Sequence, residues 1–266
     1  MRKSKFVKSV LLAAGVLALA ACGGAGVREN AEEGDLSIAS GTVQVSWGNT
    51  VTLPTVPTWG QWFFFNDGIA TGTGSFVNGP ATPPIGTGSV QLVVDNTGRA
   101  LIGTTQYIGT KLADIKALQY STYNQTATTT IAPSLQFGYD QDITDSVTGF
   151  QGRLVYEPVY SGSVTSGVWQ TWDTLAGKWW ATNNATSTLD NACPQSNPCT
   201  LAQVLAAAPR VAIHPNSNFG WLLIKLGGPI SGGFTANADR LVIRRVWETS
   251  NTIFNFESRN CQSDRC

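Results

Sequence analysis

The clearest periodicity along the chain is one of two residues. In SVQLVV the apolar side chains of Val90, Leu92 and Val94 share a side; Leu118, Tyr120 and Thr122 do so in ALQYSTYN, and Leu135, Phe137 and Tyr139 in SLQFGYD. Successive side chains of a strand point to opposite faces, so this alternation predicts half-buried β-strands. Asp95-Asn96-Thr97-Gly98 supplies a turn, and RALIGTTQYIG after it is the expected hairpin partner of SVQLVV. The stretch WGQWFFFND is apolar on both faces, which predicts a central strand rather than an edge. TGTGSFVNGPATPPIGTGS is too rich in Gly, Pro and Thr for a helix and reads as a long surface loop, while TKLADIK reads as one helical turn. The one convincing helix is TLAQVLAAAP, where Thr200 and Gln203 have capping-box spacing and Pro209 stops the run. Short strands at regular spacing with a single short helix predict an all-β fold, a two-layer antiparallel β-sandwich.

Composition agrees: 266 residues with 28 Gly, 12 Pro and only 13% charged residues suit one large β-rich domain. The formal charge is zero, but Arg2, Lys3, Lys5 and Lys8 stand in the first segment, so the rest of the chain is acidic by four charges. An acidic domain is a poor match for a phosphate backbone, and no nucleic-acid partner is expected. The basic start, the apolar run from Val10 to Ala21 and the following Cys22 form a secretory signal too short to span a bilayer. Leu19-Ala20-Ala21-Cys22 resembles the lipobox of bacterial lipoproteins. That resemblance implies cleavage before Cys22, lipidation of its thiol, and an extracytoplasmic protein anchored to a lipid membrane, at an outer membrane or cell surface. The expected organisation is a signal peptide over 1–21, a small and acidic tether over 22–40, and the sandwich over 41–266.

Candidate chemistry concentrates between Gly149 and Trp180. Trp169 and Trp172 are three apart and Trp179 and Trp180 are adjacent, so in strands neither pair can lie wholly on the core face. Outward tryptophans stack on the C–H face of a sugar ring, and carboxylates and amides partner its hydroxyl groups. The candidate ligand-binding residues are therefore Trp169, Trp172, Asp173, Trp179, Trp180 and Glu157, with Asn183 and Asn184 just beyond; sandwich core under long loops is the competing use of the same tryptophans. Asp140, Asp142 and Asp145 offer hard oxygen ligands to calcium at D-x-D-x-x-D spacing, against the alternative of a solvated acidic turn. The four remaining cysteines fall into close pairs, Cys193 with Cys199 and Cys261 with Cys266, and in an oxidising compartment the local disulfides are the expected connectivity. The lone His214 has no nucleophile elbow to serve and reads as structural.

Taken together, LQYSTYN, LQFGYD, RLVYEP, VWQTWD with KWW, the CTLAQVL helix, and GGFTANADRLVI before FNFE resemble secreted bacterial β-sandwich domains of the jelly-roll, galactose-binding-like kind. Many carbohydrate-binding modules belong to that group. The resemblance runs from about Trp59 to Glu257 and implies an architecture and a ligand class, a glycan or surface polymer, with no organic cofactor. Non-catalytic glycan binding is the leading expectation. The alternatives are a structural surface lipoprotein or adhesin that meets a protein partner, and a glycoside hydrolase or lyase using Glu157 and Asp173 as paired carboxylates.

Overall fold

The computed structural model describes residues 35–37, 62–65, 72–95, 98–128, 130–182, 187–227 and 232–257. Its strands are β1 (Asp35–Ser37), β2 (Phe63–Phe65), β3 (Thr73–Asn78), β4 (Gly88–Val94), β5 (Arg99–Thr104), β6 (Ile115–Asn124), β7 (Ser134–Asp140) and β8 (Arg153–Tyr156). They continue as β9 (Trp169–Asp173), β10 (Lys178–Ala181), β11 (Cys199–Thr200), β12 (Ala212–Ile213), β13 (Leu222–Gly227), β14 (Phe234–Arg245) and β15 (Thr252–Asn255). Among the described residues two α-helices, α1 (Leu189–Ala192) and α2 (Leu201–Ala207), interrupt the strands.

Sheet A runs β9-β6-β14, and the far edge of the long β14 is shared. Its first half pairs with β4, then β3; its second half pairs with β15, then β1. The changeover falls at a bulge between Asp239 and Val242, where Arg240 takes a φ of 50°. Sheet B runs β11-β10-β8-β7-β13-β5-β2, with β12 added beside β7. Pairing is antiparallel in both sheets apart from β1 with β15. Alternation explains the packing: Leu92, Tyr120 and Phe254 from sheet A meet Ile102, Phe137, Tyr156 and Ile224 from sheet B in one core.

Three local expectations are revised. β4 and β5 do not form a hairpin, because β4 pairs within sheet A and β5 within sheet B. β2 pairs with β5 alone among the described strands and ends sheet B. Both its faces are covered because Phe64 enters the main core, while Phe63 and Phe65 pack with Leu101, Leu223 and Trp221 on the other side of the sheet. The Gly- and Thr-rich segment contains a strand, β3, paired antiparallel with β4 along its whole length.

The helix stands where the spacing placed it. Thr200 accepts a hydrogen bond from the Gln203 N–H, and the Gln203 side chain returns to the Thr200 backbone, closing the capping box. The Cys193–Cys199 disulfide is formed directly before that cap. TKLADIK contains one 3-10 turn, Leu112–Asp114, and a second short helix, α1, precedes the disulfide. Among the described residues no helix is long and apolar enough to cross a membrane. Cys22, Asn183, Asn184, Cys261 and Cys266 lie outside the described residues.

Candidate ligand-binding site

Strand parity splits the tryptophans. On β9, Trp172 turns inward and gives its N–H to Thr122 Oγ1 at 2.8 Å, while Trp169 turns outward and gives its N–H to the Pro80 carbonyl at 2.9 Å. On β10, Trp179 is 1% exposed, packs 5.4 Å from the Phe137 ring and 5.5 Å from Tyr156, and donates to the Thr174 carbonyl. A buried indole with its polar tip satisfied is a core residue, so Trp172 and Trp179 build the sandwich. Trp169 fastens a loop, and Asp173 is exposed with one oxygen accepting the Leu175 N–H.

Trp180 and Glu157 differ from the other four, because the structure brings them together. Trp180 pairs with Val155 across β10 and β8, and Val155 is two residues before Glu157, so both side chains occupy the outward face of sheet B. Their surroundings continue along that face. Gln136 Nε2 donates to Ser134 Oγ at 2.8 Å, and Ser134 Oγ donates to the Lys225 carbonyl at 3.1 Å. Ser134, Glu157, Lys225, Ile131, Val159 and Gly227 are among the residues around a cleft of about 190 Å³ at this end of the sheet.

Burial pushes the Glu157 carboxyl above its ordinary value, against the opposing pull of Gln195, Trp180 and the Lys225 ammonium. The Trp180 indole is close enough to favour the anion, yet its buried N–H closes no hydrogen bond of ordinary geometry. The cleft is lined by a carboxylate, an ammonium and a hydroxyl, with the Trp180 indole set beside the carboxylate. Ser134, Gln136 and Lys225 were not among the expected residues. Their signal lay in the alternation of SLQF and LLIKLG, where each occupies the polar, outward phase of an apolar strand.

Glu157 and Asp173 do not form a carboxylate pair: they lie on different sheets and share no polar partner among those described. The acidic loop is held internally. Asp142 forms an ion pair with Arg210 that depresses its pKa, and it also accepts from Thr144; Asp140 accepts from the Asp142 N–H and Asp145 from the Val147 N–H. Among the described residues no three or more His, Cys, Asp or Glu converge on a common point. His214 is wholly buried, with one ring nitrogen bonded to the Gly149 carbonyl and the other accepting the Asn216 N–H, as a structural residue would be.

The described residues define the class as an all-β sandwich with a polar cleft on one outer face. No family of known proteins matches the chain, and no curated protein matches it. Among solved structures, a family 11 carbohydrate-binding module from Clostridium thermocellum, in complex with a beta-1,3-1,4-mixed-linked tetrasaccharide, matches over 77% of this chain and 95% of its own, with a TM-score of 0.35 and 10% identity. The functional reading rests on the cleft itself.

Proposed function

We propose that the protein is an extracytoplasmic, lipid-anchored binding protein that recognises a glycan at the outer face of sheet B. The observation that carries the reading is the meeting of Glu157, Lys225 and Ser134 around one cleft beside Trp180. Hydroxyl groups both donate and accept, and this cleft supplies the carboxylate and the N–H groups that complement both roles. The Trp180 indole stands against the Glu157 carboxyl and favours its anion, the form that accepts best from a sugar hydroxyl. The cleft is smaller than the roughly 300–1,000 Å³ of drug-sized sites, so it suits one ring or a chain end. Cys22 supplies the anchor in this reading, and its thiol carries the lipid.

Intrinsic tryptophan fluorescence of the full chain, titrated with a panel of oligosaccharides, tests the reading. A saturable shift lost in Trp180→Ala and weakened in Glu157→Gln, with both variants folded, supports it. A response untouched by either change removes the cleft from the account. Cys22→Ser tests the anchor separately: loss of labelled fatty acid from the chain is expected, and unchanged labelling overturns it.

A second reading, a protein partner, is favoured by exposed apolar residues on loops away from the cleft. Ile108, Phe150, Val246 and Trp247 are exposed on the loops after β5, β7 and β14, with Trp247 58% exposed. Apolar side chains left open at loop tips are the usual material of such contacts.

A further inference from the structure

The turn between β14 and β15 carries the two most exposed large apolar side chains among the described residues, Trp247 at 58% and Val246 at 55%. The turn is built and held. The Arg245 guanidinium lies 5.1 Å from the Trp247 ring centroid and 5.4 Å from that of Tyr107, and it is ion-paired with Glu248. The Val246 N–H donates to the Asp114 carbonyl at 2.7 Å, which ties the turn to the segment that opens β6. Ile108, next in the chain to Tyr107, is exposed as well. An indole is thus presented to the outside on a fixed support, with the nearest cation already neutralised.

The path of the chain says what this tip faces. β1 runs parallel to β15 with Asp35 level with Ile253, so the chain reaches sheet A at the end where the turn lies. Cys22 stands thirteen residues before Asp35, a reach of at most about 45 Å. The 12 residues of β14 are themselves about 40 Å long. A lipid on Cys22 therefore holds the entry end of the sandwich toward the bilayer, because turning the far end to it would take the whole reach of the chain between. The cleft is at that far end of sheet B: Lys225 and Gly227 stand where β13 pairs with Leu101 and Arg99, whereas Tyr107 follows the other end of β5, at Thr104.

For this turn the path of the chain favours a lipid surface over a protein partner. We propose that the β14–β15 turn is a membrane-facing tip, with Trp247 and Val246 seated in the headgroup layer and the cleft turned outward. The proposal rests on the Cys22 anchor. Tryptophan suits that depth, since its ring is apolar while its N–H stays among polar groups. The apolar contact is a second attachment beside the acyl chains, and it sets an orientation that an anchor on a length of chain leaves free.

The test uses the full chain purified from the producing membranes and reconstituted into phosphatidylcholine vesicles brominated in the upper acyl chain, where bromine quenches an indole at the headgroup boundary. Co-flotation with the vesicles reports the anchor, and quenching reports the tip. The wild type floats and loses part of its tryptophan emission; Trp247→Leu floats, keeps one cooperative unfolding transition, and shows that loss abolished. Val246→Asp, on the same exposed turn, floats with weaker quenching and guards against a Trp247 variant that misfolds. A floating wild type with no bromine quenching overturns the proposal and leaves the anchor standing, as does quenching equal in all three chains. A floating chain whose Trp247 is shielded from aqueous iodide without being quenched by bromine has the turn against protein, which overturns it too. A wild type that does not float overturns the anchor and this proposal with it.

Discussion

On the outside of sheet A, the 79–87 loop is fastened along its length: Trp169 bonds the Pro80 carbonyl, Ser89 the Gly79 carbonyl, Asp239 the Ile85 N–H and Glu257 the Thr87 N–H. On the outside of sheet B, an apolar group of Phe65, Leu101, Trp221 and Leu223 gives way to a cleft edged by Glu157 and Lys225. Both faces carry tryptophan and carboxylate, the residue types that sugar binding requires. They differ in what those groups touch. Trp169 spends its N–H on a loop of its own chain, whereas Trp180 stands against the Glu157 carboxyl that lines the cleft. Residue type nominates a site, and what each group touches locates it.

The contrast is broken most severely at the neighbouring pair on β10. Trp179→Ala removes a fully buried ring and is expected to cost about 3–5 kcal/mol in denaturant unfolding. Trp180→Ala should cost far less, because that ring faces outward. Equal losses would place Trp180 in a covered core and remove the aromatic from the cleft. Gly86→Ala acts on the other sheet, adding a side chain at positive φ where Glu257 already stands, and should destabilise by more than about 1 kcal/mol. An unchanged midpoint would show that the loop is not held as described. Thr200→Ala removes the α2 cap and should cost about 1 kcal/mol. Since β11 pairs with β10, hydrogen exchange should quicken along that edge of sheet B and remain unchanged in sheet A; faster exchange in β14 would mean that the two sheets open together.

Parity was the most legible property of the chain. A period of two groups residues by face, and the groups it drew around Leu92, Tyr120 and Phe137 are the ones that point inward. It says nothing about which sheet a strand joins, so β4 and β5 looked like a hairpin although they face each other across the core. Apolarity on both faces of β2 likewise records coverage and not position, because Trp221 and Leu223 cover the outer side of an edge. Parity also required one tryptophan of each pair to leave the core, but neither Trp169 nor Trp180 announces in sequence whether it finds a partner. The fastening of the 79–87 loop by Asp239 and Glu257 was beyond reach for a different reason: only the β14–β15 pairing and the folded loop bring those residues together.

The smallest expected effect separates a working carboxylate from a merely buried one. Glu157 has a folded-state pKa above its ordinary 4.5, chiefly through burial, so the native state keeps its proton to higher pH than the unfolded chain does. The native state then binds more protons in the window above 4.5, and stability falls as pH rises through it. Glu157→Gln has no proton to lose. Against wild type, its Tm should compare more favourably at about pH 7 than at about pH 4. Glycan affinity should move the opposite way in the wild type, since the ionised carboxylate is the stronger acceptor for a sugar hydroxyl. Stability falling while affinity rises over one pH window, with both slopes absent in Glu157→Gln, ties the cost of burying this charge to its use. If the affinity is flat while the stability slope remains, Glu157 is a buried carboxylate beside the cleft and the ligand is held by Trp180 and Lys225.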